Sequence, residues 1–361
     1  QPLRASTLRD TTNQADLLII AADPLLASLD PLIAAREAQG LSARAISLGE
    51  IYDEFGQGQT SPTSITNFLR YTQENWADPA PRYLLLVGDG TYDYRNHLGT
   101  RPRYHLPSPL VEVTHSGETV SDAHMADTDG DFYPNLAVGR WPVDSPTAVA
   151  QLVERTLAYE QTPADGRSLF TADGTSPEFT GMADYLIENS GLSPDQTIKL
   201  YGATSEEVAT EWNTGAWLVS YVGHGSLDLW GKDNVFNLDA ISLLDQSTNT
   251  AAPLVLQFTC LTGFFAHPEQ VSISEQLIQS EDGPVLLVAA TSLTLSSQQQ
   301  PFARDLILNL QNPEYERVGD ALQAAKQKLN LDLNFGLREI NDTFGLIGDP
   351  SALIVRPSNE Q

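Results

Sequence analysis

Two short stretches hold side chains that can do nucleophilic and acid–base chemistry. Gly223-His224-Gly225-Ser226 sets a histidine between glycines, and Thr259-Cys260-Leu261-Thr262-Gly263 holds the only cysteine in 361 residues. A thiolate attacks a carbonyl carbon, and an imidazole can carry the proton to a leaving group. Glycine on both sides of His224 lets a second backbone come close, and a lone cysteine has no disulfide partner in the chain. A cysteine at a strand end is also commonly a small buried hydrophobe, and a glycine-flanked histidine a turn residue, so position must decide between the readings.

The flanking runs supply that position. Trp217 to Val222 and Pro253 to Phe258 are apolar and read as buried strands, each ending just before its candidate residue. Asn237 to Gln246 carries a helical pattern between them, with Asn237 as cap. Strand, crossover helix and strand form a βαβ unit with parallel strands, so His224 and Cys260 fall on one sheet edge. Open α/β sheets dock ligands beyond the carboxyl ends of their strands.

These residues resemble the gingipain-type cysteine peptidases, relatives of the caspases, clostripain, legumain and separase. The resemblance rests on Gly223-His224-Gly225-Ser226 with Trp230-Gly231, and on the strand ending in Thr259-Cys260-Leu261-Thr262-Gly263. Leu84 to Asp89, Ala137-Val138-Gly139-Arg140 and Phe344 to Pro350 add to it in the right order. It implies a caspase-like α/β fold and a peptidase using Cys260 as nucleophile and His224 as general acid and base. The backbone N–H groups of Gly225 and Cys260 would form the oxyanion hole. Family members place a carboxylate just before the apolar pair that leads into Gly-Arg, and Asn135 stands there instead. An amide can orient an imidazole but adds no charge, and Asp131 is the nearest alternative. Substrate contacts are expected from Gly223, Trp230, Thr291 and Ser292. Well-known members cut after Arg or Lys, yet Asp144 is the only acidic side chain in the corresponding stretches, 141–148 and 291–300, and is not assigned to the pocket.

Composition narrows the partners. Asp and Glu number 47 against 20 Lys and Arg, a formal charge of −27. Such a surface repels phosphate, which argues against nucleic acid and anionic membranes. No apolar run reaches the ~18 residues of a spanning helix. The chain starts at Gln1, and its first 14 residues hold nothing like a signal peptide, which reads as a processed chain or an excised piece of a longer one; the resemblance implies a secreted or cell-surface setting and a precursor with a propeptide or other domains.

Along the chain, 1–14 reads as a disordered lead-in, 15–163 as an N-terminal α/β subdomain and 164–361 as a C-terminal catalytic one, each with a mainly parallel sheet flanked by helices. Strands are expected at Asp16–Ala22, Leu41–Leu48 and Arg82–Val87, then at 169–171, 198–200 and 284–289, with an edge strand over Ala352–Val355. Between Gly88 and Pro134 no period is sustained, and loops of that length are functional or disordered. Near its end Asp127, Asp129 and Asp131 alternate as in an oxygen-rich calcium loop, although the EF-hand pattern fails. Gingipain-type enzymes bind structural calcium, and a solvated acidic turn is the alternative. No catalytic cofactor is expected. The other histidines lack zinc-ligand spacing, and Asp349 reads as a turn residue.

The leading expectation is a cysteine endopeptidase acting on proteins or peptides. A surface-processing transpeptidase would use the same dyad, since hydrolysis and aminolysis share an acyl-enzyme. A caspase-like scaffold without activity is the reading from another class, and the presence of both His224 and Cys260 weighs against it.

Overall fold

The computed structural model describes residues 6–100, 103–245, 250–332 and 334–357. In the first half the elements are β1 (Leu17–Ala21), α1 (Asp23–Leu26), α2 (Asp30–Ala38), β2 (Ala43–Ser47), α3 (Leu48–Phe55), α4 (Pro62–Asn75) and β3 (Tyr83–Val87). A hairpin of β4 (Leu110–Val113) and β5 (Gly117–Val120) follows, then α5 (Asp122–Ala126), β6 (Ala137–Trp141) and α6 (Pro146–Gln161). The second half runs β7 (Ser168–Ala172), α7 (Pro177–Asn189), β8 (Thr197–Tyr201), α8 (Ser205–Asn213) and β9 (Leu218–Val222). A small ribbon of β10 (Leu229–Trp230) and β11 (Phe236–Asn237) leads to β12 (Leu254–Phe258), α9 (Ile273–Gln279) and β13 (Leu287–Ala290). The chain closes with α10 (Ser296–Gln311), α11 (Val318–Gln327), α12 (Phe335–Thr343) and β14 (Phe344–Ile347).

Ser61, Ser145 and Ser176 each start a helix, the hydroxyl accepting a backbone N–H and the next residue being proline, which satisfies donors that a first turn leaves open. Strands β1, β3, β6, β7, β9 and β12 are buried along their whole length, as expected of parallel strands covered on both faces.

All ten main strands join in one sheet, in the order β2-β1-β3-β6-β14-β13-β12-β9-β7-β8. The two expected subdomains therefore share a sheet, and β14 is its seam: it runs parallel to β6 and antiparallel to β13. The strands from β13 to β8 consequently point opposite to those from β2 to β6. Period-two alternation sends side chains to two faces. Val219, Tyr221 and Val255 join a core on one face that extends under both halves. Leu218, Val222, Leu256 and Phe258 join the other, beneath α7 and α10.

Several expectations are corrected. The helix expected over Asn237–Gln246 is a short 3-10 stretch at Asp239–Leu243, and residues 246–249 lie outside the described residues. Asn237 does act as its cap, its Oδ1 accepting from the Ala240 N–H at 2.9 Å. The aperiodic stretch 88–134 contains the β4–β5 hairpin and α5, which are too short to show a period. The last strand is Phe344–Ile347 in the sheet interior, and Leu353 makes only an isolated bridge to Arg317. In the lead-in, residues 1–5 lie outside the described residues, while Leu8 is buried and its carbonyl accepts from the Trp76 indole at 3.0 Å. Asp349 does open a turn, its carbonyl accepting from the Ala352 N–H at 3.1 Å, and it is also fully buried and pairs with Arg36 at 2.8 Å, pinning the second half to α2.

Candidate active site

Strands β9 and β12 are hydrogen-bonded neighbours in register, Phe258 opposite Val222. His224 and Cys260 each follow that last pair by two residues, so alternation turns them to the same face, the α7 and α10 side. Contacts agree. The His224 ring meets the edge of Phe179 of α7, with centroids 4.8 Å apart, and Cys260 Sγ lies 3.4 Å from the Thr294 N–H and 3.5 Å from its carbonyl, just before α10. Both residues are half-buried and Cys260 is a free thiol.

The two loops touch through Gly225. A Cβ there would stand 2.8 Å from the Cys260 carbonyl oxygen and would also strike Thr259 Oγ1. Only glycine permits this approach. Gly225 pairs with Trp230 in an antiparallel bridge whose bonds run from Gly231 N–H to the His224 carbonyl (2.8 Å) and from Ser226 N–H to the Leu229 carbonyl (3.1 Å). That pattern turns the Gly225 N–H out of the ladder. Among the described residues neither the Gly225 nor the Cys260 N–H is bonded to an acceptor.

Beyond the nucleophile the chain reverses sharply. Leu261 sits at φ 60°, a left-handed conformation that costs a branched residue roughly 1–2 kcal/mol. Bonds from the Leu261 N–H to the Ser292 carbonyl (3.1 Å) and from the Thr262 N–H to the Cys260 carbonyl (2.8 Å) hold it there.

Beneath the histidine loop lies a buried polar platform. The Tyr221 hydroxyl donates to the His224 carbonyl at 2.5 Å. Its ring stacks on Trp230 at 4.9 Å, and the indole donates to Gln257 Oε1 at 2.8 Å. Burial, with Asp173 and Cys260 nearby, pushes the Tyr221 phenol far above its usual range, so it remains a donor. Asp173, just past β7, is fully buried. Burial opposes its ionisation, but bonds from the Thr175 hydroxyl and N–H and from the Lys232 amide, with the His224 amide nearby, outweigh it and hold the carboxyl below its usual range.

The remaining expected residues fall in several places. Gly223 lies beneath the loop, where a Cβ would stand 2.5 Å from Asp173 Cβ. Trp230 has no exposed surface, so it supports the loop rather than lining a cleft. Thr291 and Ser292 sit beside the nucleophile loop but are buried. Thr291 Oγ1 donates to the Val120 carbonyl at 2.9 Å, and Ser292 Oγ pairs with Ser116 Oγ at 2.9 Å. Their side chains tie down the β4–β5 hairpin, and the exposed positions of that loop are Leu293 and Leu295.

Asn135 lies two residues before β6, a strand four spacings from β9, or about 19 Å. Its Oδ1 accepts from the Thr128 N–H (2.6 Å) and hydroxyl (2.9 Å), and its Nδ2 donates to Asp129 (3.1 Å). The structure thus gives Asn135 to the acidic loop and not to the imidazole. In that loop, ligand oxygens of Asp127, Asp129 and Asp131 all lie within 4.8 Å of one another.

Sequence reasoning missed Asp173, Tyr221 and Phe179. The available signal was Asp173-Gly174 at the end of an apolar run, the same strand-end grammar that marked His224.

The sequence pattern of peptidase family C25 matches residues 10–355. Gingipain R2 of Porphyromonas gingivalis is 26% identical over 181 residues, 45% of this chain and 24% of that protein. Gingipain R1 of the same species matches at 26% over the same length, 18% of its own. The chain thus spans about a quarter or less of these relatives. Among solved structures, the Arg-specific cysteine proteinase gingipain R superposes with a TM-score of 0.75 at 19% identity, covering 98% of this chain and 80% of that one. A complex of the pro- and mature domains of Porphyromonas gingivalis RgpB gives 0.74 at 19% identity, covering 94% and 79%.

Proposed function

The chain belongs to peptidase family C25, and from that premise we propose that it is a cysteine endopeptidase with Cys260 as nucleophile and His224 as proton carrier. The observation that carries this reading is the placement of the chain's only thiol and of His224 on one face of adjacent strand ends, in loops that touch through Gly225. Cys260 Sγ attacks the scissile carbonyl carbon, His224 hands a proton to the departing amine, and a water deprotonated by His224 releases the acyl group. The outward N–H groups of Gly225 and Cys260 serve the oxyanion; one such donor is worth ~10²–10³ in rate.

A cavity of about 160 Å³ beside the dyad is lined by Glu178, Met182, Ser296, Ser297 and Gln300. Glu178 precedes Phe179, which touches His224, and Ser296 follows the Thr294 that touches Cys260, so the cavity serves as a substrate side-chain subsite. Its single charged group is a carboxylate, which favours a basic side chain, in keeping with the Arg specificity in the name of gingipain R. Asp127, Asp129 and Asp131 are spaced as ligands of one structural calcium ion, whose oxygens stand 2.3–2.6 Å from the metal. Restoring calcium after chelation should raise the melting temperature. A secreted or surface setting is part of the same reading, and the pro- and mature domains of Porphyromonas gingivalis RgpB support a propeptide or neighbouring domains.

The test is a diverse peptide mixture incubated with the protein and, in parallel, with a Cys260→Ala variant, new termini being read by mass spectrometry. Cleavage lost in the variant supports the reading and gives the subsite preference. Ligated rather than hydrolysed products would favour the transpeptidase, and identical inert behaviour of both proteins would favour the scaffold.

A further inference from the structure

Between β13 and α10 the chain runs Leu293-Thr294-Leu295, where the two leucines are exposed and the threonine between them is buried. What the threonine faces is the nucleophile. The Thr294 N–H donates to Cys260 Sγ at 3.4 Å, and the thiol donates to the Thr294 carbonyl at 3.5 Å. Among the described residues this N–H is the only hydrogen-bond donor on the sulfur. One residue thus offers the sulfur both a donor and an acceptor, and both belong to its main chain.

The Thr294 side chain fixes where that main chain lies. Its hydroxyl donates to the Thr259 carbonyl at 3.4 Å and accepts from Gln299 Nε2 at 2.7 Å. Gln299 is buried in the first turn of α10, so the donor to this hydroxyl is carried by a helix. Thr259 is the residue before the nucleophile. Thr294 is therefore tied to two consecutive positions of that loop, to 259 by its hydroxyl and to 260 by its N–H. The residues before it are held as well: the Ser292 carbonyl accepts from the Leu261 N–H at 3.1 Å, and the Leu293 N–H donates to Ser116 Oγ of the β4–β5 hairpin at 3.1 Å. The segment that presents the amide to the sulfur is anchored on both sides of the contact.

We propose that Thr294 is a further catalytic residue of this site, acting through its main-chain N–H on the Cys260 thiolate, with Gln299 as the positioning residue that aims it. A hydrogen bond to an ionised group is roughly twice as strong as one between neutral groups, so a donor on the sulfur favours thiolate over thiol. As the thiol proton passes to His224, the bond to the Thr294 carbonyl is lost and the bond from the N–H strengthens. The sulfur keeps the electron pair that then attacks the carbonyl carbon. The inference rests on Cys260 being the nucleophile, and it concerns the sulfur, not the substrate oxygen served by Gly225 and Cys260.

The experiment measures how fast iodoacetamide alkylates Cys260, the chain's only thiol, near neutral pH in the unmodified protein and in Thr294→Val, Thr294→Ser, Gln299→Leu and Ile65→Ala. Alkylation needs the thiolate but no peptide cleavage. Valine keeps the shape of threonine and loses the hydroxyl, whereas serine keeps the hydroxyl. Ile65 is buried in α4, in a core away from the site, and serves as a stability control. The expected result is a rate lower by roughly 3- to 10-fold in Thr294→Val, because the thiolate that remains is a somewhat stronger nucleophile. Gln299→Leu should show a smaller fall, and Thr294→Ser and Ile65→Ala should stay within about twofold. The kcat for peptide cleavage should fall in the same order. An unchanged or faster rate in Thr294→Val overturns the proposal, as does an equal fall in Thr294→Ser or Ile65→Ala. Should Thr294→Val not fold, Gln299→Leu decides, and an unchanged rate there overturns it. Alkylation that follows the expected order in a protein that cleaves no peptide supports the contact and sinks the peptidase reading alone. Cleavage with alkylation indifferent to both variants does the reverse.

Discussion

The third strand of each half ends in the same three-residue pattern, and the two ends do opposite things. In the order β2-β1-β3-β6 the third strand, β3, runs into Gly88-Asp89-Gly90; in the order β8-β7-β9-β12 the third strand, β9, runs into Gly223-His224-Gly225. Both glycine pairs admit close neighbours. A Cβ on Gly88 would stand 2.8 Å from the Tyr104 carbonyl, and one on Gly90 would stand 2.6 Å from the Phe265 ring. Those neighbours are what differ. The Asp89 main chain is held by the loop that returns through Leu106, its side chain is half-buried, and burial pushes its carboxyl up to about 6. His224 is half-buried as well, but the neighbouring strand end beside it carries Cys260. Around Asp89 the chemistry-bearing side chains serve stability: Arg140 is fully buried, paired with Asp122 at 2.7 Å, bonded to the carbonyls of Gly88 and Leu106, and stacked on Phe265 at 4.4 Å. One strand-end grammar thus gives a candidate site where the neighbouring strand ends in a thiol and a structural ion network where it carries a buried arginine.

The comparison breaks most plainly at the dyad. Cys260→Ala or His224→Ala should lower kcat by about 10⁴-fold or more while the melting temperature holds; Asp89→Asn should leave kcat nearly unchanged. Peptide-cleavage assays beside thermal melts check both. Next in size, Arg140→Met strands the buried Asp122 carboxylate and should destabilise the fold by about 3–5 kcal/mol in denaturant titrations. Gly225→Ala should cut kcat by about 10²-fold, because the methyl drives the Cys260 carbonyl and its oxyanion donors apart.

A smaller effect concerns Glu275, which caps α9 through Ser272. Burial first and then nearby Asp89 push its carboxyl from 4.5 up to about 8. The folded protein therefore keeps a proton that the unfolded chain releases, so stability falls as pH rises from about 4.5 toward about 8. Glu275→Gln should flatten the melting temperature over that window. The smallest effect is expected from Asn135→Asp: its distance exceeds a Debye length of about 8 Å, so kcat should change less than about twofold. A large gain there would return this residue to the catalytic machinery.

Much of this was legible in order along the chain. The apolar runs before His224 and Cys260 placed both at strand ends, and parallel pairing followed from their alternation with helices. Ser61-Pro62, Ser145-Pro146 and Ser176-Pro177 marked helix starts that the structure contains. Residues that act by what lies across from them were not legible. Asp173 looks like any turn aspartate until β7 is set beside β9, Asp349 until Arg36 reaches it, and Thr291 and Ser292 look available until the β4–β5 hairpin lies on them. Asn135 illustrates the opposite error, a residue in the expected sequence position whose strand is separated from β9 by three others.

The sequence by itself determined the local facts: which segments are buried strands, where helices begin, which single thiol and which glycine-flanked imidazole are available, and which family the motifs belong to. These depend on periodicity, capping and residue type, all of which act over a few neighbouring residues. The tertiary structure alone decided which side chain stands beside each strand end, that β14 joins two oppositely directed halves into one sheet, and that a buried carboxylate just past β7 packs against Gly223 beneath the histidine loop. Those outcomes depend on contacts between residues far apart in the chain, and burial, which sets both charge state and access, exists only once those contacts are made.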